Sequence, residues 1–285
     1  MRGHLPVVNF TPDSERYLAM GRGETACWPF HARFLVPWLC GDRTRWWHAV
    51  TAGSLILSGP ALAGFARSSG LTDLQALACV VAFTGLWGAF GLLTLCPVLV
   101  DAPAMLFILL GGSLYLSETA AVWVLLPAGL LVGAIKETGP IWLALFAWHP
   151  AALVGLIVPA LRYALPHPPA DNEIISRPLR AGMMFRRGTL WDGRIMLAPW
   201  GIGGLALLNP SPQLWVALAL AYVQPLMASD VTRLVQQIAP VVLVHAVVML
   251  PEAWLPLALA LHLFNPWQKT AMEEQPIRLQ GIPER

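Results

Sequence analysis

The sequence predicts an all-α membrane protein, a polytopic transmembrane helical bundle of about eight to nine spans with an amphipathic interfacial helix near the N-terminus. Three observations predict it. Apolar residues fill 56% of the 285 positions and charged residues 12%, against roughly 25% charged in a soluble domain; mean hydropathy is +0.61. The scarce charge is also unevenly placed. From Trp46 to Leu165 the charged residues are Arg67, Asp73, Asp101, Glu118, Lys136, Glu137 and Arg162, and from Ile195 to Gln268 they are Asp230, Arg233 and Glu252. Third, prolines break or end the apolar runs, among them Pro127, Pro140, Pro150, Pro159, Pro199, Pro225, Pro240 and Pro251. Each break frees backbone groups that only protein or a water-lined cavity can satisfy at membrane depth. A bundle enclosing a polar crevice follows.

Residues 1–46 read as a polar, non-cytoplasmic leader. Phe30, Phe34, Leu35, Val36, Trp38 and Leu39 lie beside Arg33, Arg43 and Arg45, a mixture suited to a helix lying in the headgroup layer. Trp46 and Trp47 suit the aromatic belt where a span begins. A first membrane segment, 47–165, holds spans over 47–66, 74–99, 102–116, 119–135 and 140–165. The last of these either crosses once or folds as two half-spans broken at His149–Pro150. Residues 166–194 form an arginine-rich polar loop with a surface helix around 178–190. A second membrane segment, 195–266, holds spans over 195–208, 213–228, 235–250 and 252–265, and 267–285 is a polar tail. Gly129 and Gly133 make a GxxxG that is expected to be incidental in so glycine-rich a chain.

Several function classes are excluded or disfavoured. A net charge of +2 with no basic run gives no footprint for nucleic acid. Sixteen of the eighteen basic residues are arginine, which a GC-rich genome explains. Cys27, Cys40, Cys79 and Cys96 form no CxxC, although Cys27 and Cys40 can pair if their loop faces an oxidising compartment. The histidines make no HExxH, and no metal site is expected from them. Walker and GxSxG motifs are absent, as are an internal repeat of the transporter type and a cleavable signal peptide.

Ionisable groups at membrane depth are costly and therefore candidates for function. Asp13 precedes the apolar patch and can alternatively cap a helix starting at Ser14. Asp101 opens DAPAMLFILL and can likewise be a cap, with Pro103 in the first turn. Counting crossings brings Asp13 and Asp101 to one face, and two further crossings return Lys136 and Glu137 to it. Lys136 is one of two lysines in the chain; beside two carboxylates it either makes an ion pair or binds a phosphate. Asp230 and Arg233 join this face if 140–165 is a pair of half-spans. A single crossing puts them opposite and leaves the arginine-rich loop cytoplasmic, as the positive-inside rule prefers.

Taken in order, DSERYLAMG followed by PFHARFLVPWL, then DAPAMLF, KETGP and DVTRLVQQIAPVVL, resemble the integral-membrane glycosyltransferases of the GT-C type. They are closest in character to the bacterial enzymes that build cell-surface glycopolymers. The resemblance implies an inner-membrane enzyme with its site on the non-cytoplasmic face. Such an enzyme moves a hexose or pentose from a polyprenyl-phosphate donor to an acceptor hydroxyl with inversion. It implies Asp13 as general base, and Asp101 orienting the acceptor or holding a divalent cation. Lys136 and Arg233 would neutralise the departing phosphate, with Tyr17, Arg33 and Glu137 also binding substrate. The family places a membrane helix before the loop aspartate, whereas twelve residues precede Asp13 here, and it often has more spans; a shortened and even inactive form is the corresponding expectation. The competing readings are a small-solute or lipid transporter and a non-catalytic assembly subunit.

Overall fold

A computed structural model describes residues 12–27, 29–117, 122–168, 198–209, 211–224 and 236–265. Among them all regular structure is helical, and no strand occurs. The order is α1 (Pro12–Gly21), a 3-10 turn (Phe30–Ala32), α2 (Leu35–Cys40), α3 (Thr44–Ser68), α4 (Asp73–Gly85), a π turn (Trp87–Gly91) and α5 (Leu92–Leu95). It continues with α6 (Asp101–Leu116), α7 (Leu125–Ile135), α8 (Gly139–Ala147), a 3-10 segment (Pro150–Leu156) and α9 (Ile157–Tyr163). After a second 3-10 segment (Ala198–Leu208) come α10 (Pro212–Val223), a turn (Gln236–Ile238), α11 (Ala239–Val247), a turn (Glu252–Trp254) and α12 (Leu255–Leu263).

Among the described residues α3 is the one helix long and apolar enough to cross a membrane. Its 25 residues extend about 37 Å at 1.5 Å per residue. The chain then turns at Gly70, whose φ of 89° a side chain would resist. Thr72 starts α4 with a capping box: its hydroxyl accepts from the Gln75 N–H while the Gln75 side chain accepts from the Thr72 N–H. The expected span over 74–99 is not one helix. It stops at Gly85, becomes extended at Leu86 and passes through the glycine-rich π turn to an irregular stretch ending at Val100. Glycine is a poor helix former, and Pro97 bars regular continuation.

Residues 140–165 are also broken, at the His149–Pro150 step named from sequence. α8 ends at Trp148, which takes a left-handed φ of 50°. The His149 ring accepts from the Ala151 N–H to start the 3-10 segment at Pro150. Both ends of this stretch return to the leader. Glu137, just before α8, meets Arg33, and Arg162 at the end of α9 bonds with its Nε and Nη2 to the His31 carbonyl. His31 Nε2 answers at 2.8 Å from the Arg162 carbonyl, and the Arg162 guanidinium lies over Phe34. The hairpin packs on α7 backbone to backbone. A Cβ on Gly129 would meet the Ala152 carbonyl, and one on Gly133 the Gly155 carbonyl. The GxxxG is therefore a packing motif and not incidental, contrary to the expectation from composition. Gly129→Val should destabilise the protein by about 1–3 kcal/mol or more through overpacking. Gly53→Ala, at a helical position with open space around it, should leave thermal unfolding in detergent unchanged or raise its midpoint. Equal behaviour of the two variants would contradict this packing.

Two apolar clusters form the core, a buried ion pair sits within the protein, and many large apolar side chains also lie on the outside. Ile56 is 73% exposed, Leu77 57% and Leu261 66%, whereas Asp101 and Lys136 are buried. Within the leader, α2 exposes Trp38 and Leu39 and buries Val36, Pro37 and Cys40. All four cysteines are free thiols, so Cys27 and Cys40 are not joined. His262 on α12 pins three elements. Its Nδ1 accepts from the Ile202 N–H, which leaves Nε2–H to donate to the Ala82 carbonyl. Between the Ala198–Leu208 segment, α10 and α11 lies an apolar cavity of about 420 Å³ lined by Trp200, Leu207, Leu214, Trp215, Tyr222 and Val242. The helix expected around 178–190, Glu118, the tail and the pair Asp230 and Arg233 lie outside the described residues.

Candidate functional site

The site begins on α1. This helix starts at Pro12, so Asp13 stands in its first turn and not at the cap position considered from sequence. Asp13 and Tyr17, four residues apart, share one helix face. Tyr17 is 1% exposed, packed between Phe30 at 5.6 Å and Trp47 at 5.8 Å. The Ser14 hydroxyl donates to the Val98 carbonyl, which docks α1 on the irregular stretch before α6. Thr51 of α3 does the same to Pro97. The break after α4 thus offers carbonyls that a continuous helix would have consumed, and they hold the leader against the start of α6.

Arg33 connects the leader to the turn between α7 and α8. Its Nε and Nη2 donate to the two Glu137 oxygens at 2.5 and 2.6 Å, and its Nη1 donates to the Tyr17 hydroxyl at 2.6 Å. The paired parallel bonds are the strong, geometry-specific mode of a guanidinium. Burial works against the Arg33 charge, but Glu137 more than offsets it and the pKa is raised. Burial alone would raise Glu137; the Arg33 charge and hydrogen bonds override it and hold this carboxyl below its ordinary value. Tyr17 is pushed up by burial, opposed by Arg33 and reinforced by Asp13 and Asp101.

Asp101 and Lys136 form the second pair. Lys136 Nζ donates to Asp101 Oδ1 at 2.5 Å, with the two side chains 6% and 9% exposed. Gln237 Nε2 donates to the same oxygen at 3.3 Å. Asp101 is the first residue of α6, with Val100 at the cap position, so it stands one residue past the cap considered from sequence and pairs with a rare lysine. Asp13 is the more accessible carboxylate, its side chain 25% exposed and 3.4 Å from Arg16.

Asp13, Tyr17, Arg33, Asp101, Lys136 and Glu137 are thus brought together at one end of the bundle, from positions up to 124 apart in the chain. Arg233 lies outside the described residues. Asp101 Oδ1 holds an ammonium and an amide. No group of three or more His, Cys, Asp or Glu side chains stands together among the described residues. Gln237 escaped the sequence reading. Its signal was present as two adjacent amides, Gln236 and Gln237, inside an apolar stretch, where polar side chains act as interhelical ties. Gln236 accepts from the Ala89 N–H, and Gln237 reaches Asp101.

The Arg33–Glu137 pair carries a pH dependence. A carboxyl whose folded pKa is depressed adds stability above its unfolded value, about 4.3 for glutamate, and loses it as pH falls through the folded value. The unfolding midpoint should therefore fall on acidification from pH 5 towards 3, at about the unperturbed glutamate range and below. Glu137→Gln should flatten that part of the profile; an unchanged acid limb would remove Glu137 as its source.

Compared with protein-family models, curated proteins and solved structures, the chain finds no match.

Proposed function

We propose that this chain is a polytopic membrane glycosyltransferase that moves a sugar from a polyprenyl-phosphate donor to an acceptor hydroxyl on the non-cytoplasmic face. The observation that carries the reading is the gathering of three acids, a lysine and a Tyr-bound arginine at one end of a helical bundle. Scarce ionisable groups that meet in an apolar protein are an expensive arrangement. The apolar exterior supports a bilayer environment, with helices shorter than a full crossing satisfied by their neighbours.

The roles follow from accessibility and charge. Asp13, the most exposed carboxylate of the set, takes the proton of the acceptor hydroxyl as its oxygen attacks the anomeric carbon. The bond from that carbon to the phosphate oxygen breaks, its electron pair passes to the phosphate, and configuration inverts. Lys136 meets the negative charge gathering on the phosphate, held in position by Asp101. Arg33, fixed by Glu137, keeps Tyr17 and α1 in register over the site. Val242, which lines the apolar cavity, lies five residues beyond Gln237, about 7.5 Å along the chain axis if helical. The cavity therefore suits the isoprenoid tail of a donor whose phosphate lies beside Lys136.

The test is reconstitution of the full chain in lipid nanodiscs with polyprenyl phosphates carrying labelled hexoses and pentoses. Release of polyprenyl phosphate with formation of a glycosylated acceptor is expected from at least one of them. No turnover of any donor would overturn the reading, and solute flux through proteoliposomes would replace it with a transporter. Its membrane geometry is checked separately. Asp42→Cys should label from the side opposite to Asp73→Cys, since α3 separates them.

A further inference from the structure

Besides the Arg33–Glu137 pair, the leader and the hairpin meet in a cluster of two histidines and an arginine. His31, in the Phe30–Ala32 turn, is 2% exposed. It exchanges hydrogen bonds with Arg162 in both directions. Its Nε2 reaches the Arg162 carbonyl at 2.8 Å, while Arg162 Nε and Nη2 donate to the His31 carbonyl at 3.2 and 3.1 Å. A carbonyl only accepts, so Nε2 carries the hydrogen. A second imidazole, His167, stacks on His31 with ring centroids 4.4 Å apart and planes at 27°. Tyr163 backs His167 at 5.6 Å, and the Arg162 guanidinium lies 4.9 Å over Phe34. The last turn of α9 and the residues just after it thus grip the leader through hydrogen bonds and ring contacts together.

With Nε2–H committed to the carbonyl, a proton added to His31 goes to Nδ1, which is buried. The imidazolium so formed is stacked on His167 and bonded to a residue that carries a guanidinium. Burial disfavours it most; the bond to the Arg162 carbonyl favours it, and the charges of His167 and Arg162 oppose it, so the His31 pKa is lowered. Charges on the neighbouring elements do not reverse this. Phe30, beside His31, lies under the guanidiniums of Arg16 on α1 and of Arg33. Asp13 and Glu137 pair with those same arginines, and Glu15 is exposed. A group with a lowered folded pKa supports the folded contact above its unfolded value, about 6.5 for histidine, and that support is lost as pH falls through the folded value. We propose that His31, His167 and Arg162 form an acid-sensitive latch, closed at neutral pH, which holds the leader to the end of the hairpin and releases it when the stacked imidazoles take up protons. The leader carries Asp13, Tyr17 and Arg33, so release loosens one side of the candidate site. The latch stands whatever reaction that site performs.

The test is hydrogen exchange of the full chain in nanodiscs, corrected for the intrinsic rate at each pH, from about pH 7.5 to about 5.5. This window surrounds the ordinary histidine value and stays above the glutamate value of about 4.3, which keeps Glu137 out of it. The Ala32 and Arg33 amides, which bond to the Pro29 and Phe30 carbonyls, should lose protection as pH falls. The loss runs to about tenfold for each pKa unit that separates the closed latch from the open one. Amides of α6 are the reference and should keep their protection. His31→Gln retains an N–H for the Arg162 carbonyl but takes up no proton, so its protection should be flat across the window. His167→Phe keeps a ring in the stack without a charge and should shrink the loss; it decides the matter if His31→Gln does not fold. Wild-type protection that ignores pH overturns the latch, as does an undiminished loss in either folded variant. Equal loss in α6 marks global unfolding and overturns it too.

Discussion

Asp13→Asn is expected to lower sugar transfer by about 10²–10⁴-fold, the usual contribution of a positioned general base, with little change in unfolding midpoint. The change is isosteric and removes the proton-accepting charge while keeping hydrogen-bond capacity. Asp13 is partly exposed and pairs with Arg16 at 3.4 Å, a contact of the surface kind that contributes about 0–1 kcal/mol. The unfolding midpoint of the variant separates a structural loss from a catalytic one. The neighbouring Glu15→Gln, at an exposed position on the other side of α1, should leave transfer within about twofold, since surface changes usually stay within ±0.5 kcal/mol. The decisive comparison is the ratio of the two rates at equal protein. Transfer retained in Asp13→Asn, or lost equally in both variants, would strip Asp13 of its role as base.

That Asp13 could be singled out at all reflects which features a linear chain makes visible. α3 was legible because 25 consecutive apolar-rich residues leave few alternatives, and α6 because Asp101 and Pro103 mark its start. The leader, Asp101 and the KETGP turn do meet in the structure through Ser14, Tyr17, Arg33 and Glu137, although the expected span over 74–99 proved to be a helix, a π turn and an irregular stretch. The hairpin at 140–165 was not legible. A straight helix and a folded-back one have the same composition, and only the contacts of Glu137 and Arg162 with the leader show that the chain folds back. Partner choice was equally hidden. Lys136 and Glu137 are adjacent in sequence and look like a pair, but they face different acids and bases, Asp101 and Arg33. Adjacent side chains in a turn diverge, so each finds its counter-charge across the bundle.

Lys136→Met is expected to destabilise the protein by about 3–5 kcal/mol, because it takes the ammonium away from a buried carboxylate. The exposures of 6% and 9% put this pair well outside the solvent-screened class, and a neutral donor such as the Gln237 amide at 3.3 Å does not replace an ammonium. The double variant Lys136→Met with Asp101→Leu should recover most of that loss, since well-packed apolar replacements of a buried ion pair are often neutral or stabilising. The cycle separates two explanations that single variants confuse. If the pair exists only to hold α6 against the turn before α8, the double variant should fold and transfer sugar. If Lys136 stabilises the leaving phosphate, the double variant should unfold near the wild-type midpoint and yet transfer sugar at least about 10²-fold more slowly, the scale of a lost charge-stabilising donor. Reversible unfolding in mixed micelles gives the first number and polyprenyl-phosphate release gives the second. Recovery of both stability and transfer would leave the lysine a structural tie and move the burden of phosphate recognition elsewhere in the site.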